Sequence, residues 1–119
     1  MTYAEFQQQF EQLAARERRH WDAAPVPTLI TEIRAGRLGK YYQIWYSLGA
    51  RAEPAEVNTL LLSFLASEAD YLDRYHCAAA LIQVNGLRQW TPQELSVPNR
   101  YPVTENLAKL RAELDVVAQ

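Results

Sequence analysis

The chain has 119 residues, of which 49% are hydrophobic and 22% are charged, and its formal net charge is −2. This length fits about one domain, and the composition is that of an ordinary globular protein rather than a disordered chain. The single cysteine excludes an internal disulfide scaffold and a four-cysteine zinc site. No stretch approaches the roughly 20 apolar residues of a membrane span, and the first residues do not resemble a signal peptide, so we expect a cytoplasmic protein without a membrane partner.

The first half of the chain predicts three helices. Thr2 and Glu5 form a capping box that opens a long helix ending near Trp21. A shorter helix covers residues 28–35, and residues 40–50 form a third helix because their apolar residues recur at helical spacing. The long helix has an apolar stripe that is interrupted at Glu17: Tyr3, Phe6, Phe10, Leu13 and Trp21. The stripe of the third helix consists of Tyr41, Ile44, Trp45 and Leu48, with Tyr42 and Tyr46 on the neighbouring, partly exposed face.

The second half predicts a helical hairpin and a final helix. Pro54 opens the first arm of the hairpin, and the second arm runs from the cap at Asp70 to Asn85, with three consecutive alanines that allow close packing. Thr91 starts another helix, which Pro98 limits to about one turn. The last helix carries a one-sided stripe: Val103, Leu107, Leu110, Leu114 and Val117.

The predicted fold is therefore all-α, with six or so helices in antiparallel pairs in a single domain, residues 1–119. The approximate units are an N-terminal capping helix, 2–22, and three helix pairs, 27–50, 54–86 and 91–118. A shift of 34 residues superposes Leu38 to Tyr41 on Leu72 to Tyr75, and similar apolar residues coincide at a shift of 35. A period in the thirties or forties is typical of helical solenoids, although regular helices alone also produce such echoes.

The helix-pair period and the string from Asp73 to Leu81, DRYHCAAAL, resemble a HEAT-like repeat. The first unit departs from the pattern, because Ile44, Trp45 and Tyr46 stand where small residues belong. The resemblance implies a short right-handed α-α stack whose function is binding. Small bacterial immunity proteins and adaptor subunits are similar in outline.

Two clusters suggest chemistry, and each has a simpler interpretation. Asp70, Asp73, His76 and Cys77 gather at one helix start, and Asp73 with His76 could ligate zinc or iron in a small metal- or ligand-binding enzyme or regulator. His20 is the only other histidine, so the sequence offers few ligands for a metal ion. A Cys77–His20 nucleophile pair would require an exposed cysteine sulfur. We prefer a solvated helix start with a partly buried histidine and cysteine, and we predict no metal, no cofactor and no enzyme.

The second cluster is a glycine-containing loop with the cations Arg34, Arg37 and Lys40. Its GRLG core, residues 36–39, is similar to the phosphate-clamping loop of KH domains, and it predicts phosphate or nucleic-acid contact as an alternative function. The KH fold also needs a sheet, and the acidic composition is unlike that of a dedicated nucleic-acid binder. We prefer two helix-ending glycines among solvated charges.

The leading hypothesis is a non-enzymatic protein-interaction domain, such as an immunity-type inhibitor or an adaptor. Aromatic and arginine side chains are enriched at interfaces, and they predict the contact residues Tyr42, Tyr46, Arg88, Trp90, Arg100 and Tyr101. Residues 53–119 hold nine Asp or Glu against five Arg or Lys, which suits a basic partner. The predicted acidic surface is Glu53, Glu56, Glu68, Asp70 and Asp73. A homodimer through the tyrosines of the third helix is the alternative partner.

Overall fold

The computed structural model describes the backbone of residues 1–118 and the side chains of residues 1–115. Over these residues the fold is all-α and contains no strand, as predicted. The elements are α1, Tyr3–Asp22; α2, Val26–Arg34; α3, Gln43–Arg51; α4, Pro54–Leu65; α5, Tyr71–Asn85; a 3-10 turn, Gln93–Leu95; and α6, Val103–Ala118. None of these helices is both long and apolar enough to cross a membrane. The predicted stripe residue Val117 lies outside the described side chains.

Helices α1 and α5 begin where the capping residues of the sequence indicate. The Thr2 hydroxyl accepts a hydrogen bond from the Glu5 amide at 3.1 Å, and the Glu5 carboxylate accepts one from the Thr2 amide at 3.2 Å. The Asp70 carboxylate caps α5 by accepting from the Leu72 amide at 3.1 Å. These bonds satisfy amides that have no partner inside the helix.

The core is built around α5, which packs against both α3 and α4. Small residues make this possible, because Ala80 of α5 lies so close to Gly49 of α3 that a Cβ on the glycine would be 3.4 Å from the Ala80 Cα. Trp45 of α3 and Leu61 of α4 belong to the same core, and both are fully buried. The alanine-rich string of α5 therefore provides the close helix approach that the sequence predicts.

Helix α3 begins three residues later than the apolar spacing predicts, and a distant carboxylate is the reason. Glu17 of α1 accepts hydrogen bonds from the backbone amides of Lys40, Tyr41 and Gln43 at 2.7, 3.0 and 3.2 Å. A Cβ on Gly39 would lie 2.5 Å from a Glu17 oxygen, and its φ of +78° also favours glycine. Glu17, which interrupts the predicted stripe of α1, thus holds the loop before α3 in a non-helical conformation.

A polar junction holds the end of α1 against α3. The Asp22 carboxylate accepts from the Ser47 hydroxyl at 2.7 Å, and this hydrogen bond is the main cause that lowers the pKa of Asp22. The Arg51 guanidinium donates to the carbonyl oxygens of Trp21 at 2.9 Å and Ala24 at 2.8 Å. The last carbonyls of α1 are therefore satisfied by a side chain of α3.

The predicted helix pairs are arranged differently in the two parts of the chain. In the first two pairs α2 contacts α4 and α3 contacts α5, which is the neighbour relation that a stack of helix pairs requires. In the third pair, a continued stack would place the 3-10 turn against α4 and α6 against α5. The structure has the reverse: the 3-10 turn contacts α5, and α6 contacts α4. The HEAT-like repeat stays a prediction.

We expect Glu17→Ala to lower the free energy of unfolding by about 2 kcal/mol, because three backbone amides lose a charged acceptor. Urea denaturation followed by circular dichroism measures the change. Glu11→Ala is the matched control on the same helix, where the exposed side chain predicts a change within about 0.5 kcal/mol. Equal stabilities of the two variants would contradict the anchoring role of Glu17.

Candidate interaction surface

The N-terminal half of α1 extends beyond the body of the protein. The exposed fraction falls along its apolar stripe, from 80% at Tyr3 to 59% at Phe6 and 46% at Phe10. Phe10 makes the last contact with the body, where its ring meets the Tyr41 ring edge-on at 5.2 Å. The radius of gyration of 15.0 Å exceeds the value of about 13.5 Å expected for a compact chain of this length, in agreement with a projecting helix.

We call the exposed aromatic side chains Tyr3, Phe6 and Phe10 the α1 stripe. The sequence predicts that these residues share a helix face, but it does not show that they are largely exposed and that, of the three, Phe10 packs against the ring of Tyr41. Helical periodicity is the same for a face that packs inside the protein and for one that binds another molecule. The exposure follows from where α1 meets α3, which is set by Glu17 and Asp22.

A second aromatic group surrounds His76 on α5. The His76 ring stacks on Tyr42 at a centroid distance of 4.7 Å and meets the edges of Tyr46 at 5.4 Å and Tyr75 at 5.3 Å. We call these four residues the tyrosine–histidine cluster. Tyr42 has a left-handed backbone conformation, φ 62°, at the start of α3, and this places its ring over the histidine.

Partial burial shifts the pKa values of two residues in the cluster, His76 and Tyr42. Burial lowers the pKa of His76, and the neighbouring Asp73 carboxylate opposes this change. Burial also raises the pKa of Tyr42, with additional contributions from Asp70 and Asp73. Among the described residues, the His76 Nδ1 atom is buried without a hydrogen-bond partner. The neutral histidine therefore serves as a packed aromatic ring.

The predicted metal or catalytic residues have structural roles. Asp73 accepts a hydrogen bond from the indole nitrogen of Trp45 at 3.0 Å. Cys77 is fully buried, its thiol donates to the Leu61 carbonyl at 3.5 Å, and burial raises its pKa well above the usual range. His20 lies on α1, exposed, with its ring against the Trp21 ring at 4.7 Å. Within the described part of the chain, no group of three or more His, Cys, Asp or Glu side chains could hold a metal ion.

The predicted cation loop has one guanidinium and two backbone amides already engaged. The Arg37 guanidinium donates to the Glu32 carboxylate at 2.7 and 3.0 Å. The Glu17 carboxylate accepts hydrogen bonds from the loop amides of Lys40 and Tyr41, which a bound phosphate would need as donors. Arg34 and Lys40 are exposed, so the loop offers an anion only flexible surface cations.

The predicted connector residues are not brought to one place by any contact in the structure. Trp90 is half-buried against the core and donates its indole N–H to Glu113 at 3.1 Å, so it joins the connector after α5 to α6. Arg88 and Arg100 are exposed, and half-buried Tyr101 lies in the loop before α6. Of the six predicted contact residues, only Tyr42 and Tyr46 are joined, through His76.

The predicted acidic residues form two groups rather than one surface. Glu53 and Glu56 lie at the start of α4, where the Glu56 carboxylate accepts from the Glu53 amide at 3.0 Å. Glu68, Asp70 and Asp73 lie beyond its other end, around the start of α5. Because α4 spans 12 residues, or about 18 Å, the two groups lie at opposite ends of the hairpin.

Comparison with known proteins adds no relative. No protein-family model, no curated protein and no solved structure matches this chain.

We expect the pKa of His76 to lie below its ordinary value of 6.5, because burial disfavours the imidazolium. As pH falls, the unfolded state therefore takes up a proton at a higher pH than the folded state does. The stability that the neutral ring contributes is fully present above pH 6.5 and is lost as pH falls through the folded-state pKa. Titration of the ring by NMR, together with the difference in unfolding free energy between the wild type and His76→Phe at each pH, measures the effect. A pKa above 6.5 would contradict it.

Cys77 is expected not to react with iodoacetamide while the protein is folded, since its thiol is protonated and shielded from solvent. Mass spectrometry should detect the adduct only at urea concentrations that unfold the chain. Rapid labelling of the native protein would instead favour a reactive cysteine, as the enzyme interpretation requires.

Proposed function

We propose that this protein is a non-enzymatic protein-interaction domain that inserts the α1 stripe into an apolar groove of a partner protein. The observation that supports the proposal is the exposure of Tyr3, Phe6 and Phe10 on one face of a continuous helix. Their spacing of i, i+3 and i+7 is that of the anchors by which an amphipathic helix binds a groove.

The energetics favour such an association. Burying a large apolar side chain contributes about 1.5–3 kcal/mol, and the three aromatic rings of the α1 stripe are at least 46% exposed in this chain. The capping box at Thr2 and Glu5 holds the helix start, so little conformational entropy remains to be lost on binding. The stripe is therefore preorganised for a partner.

The charges of the same segment indicate the chemistry of the partner. Residues 1–13 contain Glu5 and Glu11, both exposed, and no Arg or Lys. A groove with a basic rim would complement these carboxylates, in keeping with the acidic composition of residues 53–119. An immunity-type inhibitor or an adaptor in the bacterial cytoplasm is the role that we propose. The HEAT-like stack of α2 to α5 would serve as its rigid support.

The alternatives have less support. A metal- or ligand-binding enzyme would use Asp73, His76 and Cys77, which are engaged in packing and hydrogen bonds. Phosphate or nucleic-acid contact would use the cation loop, whose amides bind Glu17. A homodimer through Tyr46 is a separate outcome, and sedimentation of the pure protein over a range of concentrations distinguishes it.

The test compares immobilised wild-type protein with the immobilised double variant Phe6→Gln, Phe10→Gln. Each is incubated with a lysate of the native host at low and at high salt, and the retained proteins are identified. We expect a protein that the wild type retains at low salt and the double variant does not. With that protein purified, Phe6→Ala should weaken binding by about 2 kcal/mol, or roughly thirtyfold, as for a central aromatic anchor.

Two single variants serve as controls. Gln8→Ala changes the opposite face of α1, and Tyr46→Gln removes an exposed aromatic side chain outside the α1 stripe; both should retain the partner. Equal capture by the wild type and the double variant would contradict the α1 site. A wild type that retains no protein at low salt would contradict the interaction function itself.

A further inference from the structure

A cleft of about 650 Å³ lies between the turn that joins α4 to α5 and the first half of α6. This volume is within the range of small-molecule sites, about 300–1,000 Å³. Its apolar walls come from the end of α4 with the turn after it, from Pro98 and from α6, and two arginines and one glutamate also line it. We call it the arginine cleft, and the residues that matter for its chemistry are Leu65, Glu68, Arg74, Val103, Leu107 and Arg111.

Neither arginine of the cleft forms an ion pair with a described acidic side chain. Among the described residues, ion pairs within 4.0 Å join Arg18 to Asp22 and Arg37 to Glu32, and neither Arg74 nor Arg111 takes part in one. The Arg74 Nε atom is in addition buried without a hydrogen-bond acceptor. The buried Nε atom is out of reach of a ligand in the cleft, but two like charges that line one cleft without an ion-pair partner favour an anion.

The acids nearest to Arg74 in the chain are committed elsewhere. The Asp70 carboxylate caps α5 through the Leu72 amide, and the Asp73 carboxylate accepts from the Trp45 indole. Glu68 lines the cleft but is exposed and lies beyond ion-pair distance of both guanidiniums. None of these carboxylates forms an ion pair with Arg74 or Arg111, so the guanidinium donors that line the cleft remain available to a ligand.

Helix α6 supplies one wall of the cleft. Val103 and Thr104 line the cleft at the start of this 16-residue helix. Leu107 and Ala108 continue the same face of α6 for another turn, between the helix start and Arg111. An occupant would thus meet cations at Arg74 and Arg111 and an apolar surface between them.

We propose that the arginine cleft binds a small amphiphilic anion, an organic carboxylate with an apolar chain. The carboxylate pairs with the guanidiniums of Arg74 and Arg111, a geometry that planar guanidinium groups favour. The apolar chain covers Leu65, Val103 and Leu107. This site is separate from the α1 stripe, and a ligand here does not depend on the proposed protein partner.

The experiment uses isotope-labelled full-length protein and sodium decanoate below its micelle-forming concentration, with amide shifts recorded by NMR. We expect saturable shifts at residues 66–69, 74 and 103–111. Arg111→Gln should weaken binding at least about tenfold by removing a charged hydrogen-bond donor. Ala108→Glu should abolish it, because the exposed alanine lines the cleft and the new carboxylate would compete for the guanidiniums.

Lys109→Gln is the matched control, since it removes one positive charge from an exposed position of α6 outside the cleft lining, and it should bind decanoate as the wild type does. Decyltrimethylammonium, which has the same chain and the opposite charge, should cause no shifts in the cleft. Inorganic phosphate alone should bind more weakly than decanoate. Decanoate binding that is unchanged in Ala108→Glu, equal binding of the cationic detergent, or equal binding of phosphate would each overturn the proposal.

Discussion

The three hydrogen bonds between Glu17 and the loop before α3 determine much of the shape of this protein. They join α1 to a loop more than 20 residues further along the chain and fix where α3 begins. Together with the Asp22, Ser47 and Arg51 junction, they bind the C-terminal half of α1 to α3. The N-terminal half of α1 stays exposed, with Phe10 meeting the ring of Tyr41, and the α1 stripe is accessible as a result.

The residues with the most reactive side chains are used for packing. Asp73 holds the Trp45 indole, His76 is stacked between tyrosine rings, and Cys77 closes the contact of α5 with α4. Close packing of three helices favours small side chains at their contacts, and three of the four buried residues of α5 are small: Cys77, Ala78 and Ala80. The same constraint explains the proximity of Ala80 and Gly49.

Two surfaces then remain for function, and they differ in chemistry. The α1 stripe is aromatic and flanked by carboxylates, which suits a groove in a basic protein, whereas the arginine cleft is concave and positively charged. They belong to different elements, the start of α1 in one case and the α4–α5 turn with α6 in the other. Binding at one surface therefore need not compete with binding at the other.

The sequence by itself determined the all-α fold and most helix boundaries, because capping residues, prolines and glycines act locally. It also placed Tyr3, Phe6 and Phe10 on one face, and it identified Tyr42 and Tyr46 as aromatic residues outside the core stripe. Only the tertiary structure decided that Glu17 organises a distant loop, that the acidic residues divide between two ends of α4, and that Arg74 and Arg111 share a cleft. These outcomes depend on which helices pack together, and periodicity within one helix carries no information about its neighbours.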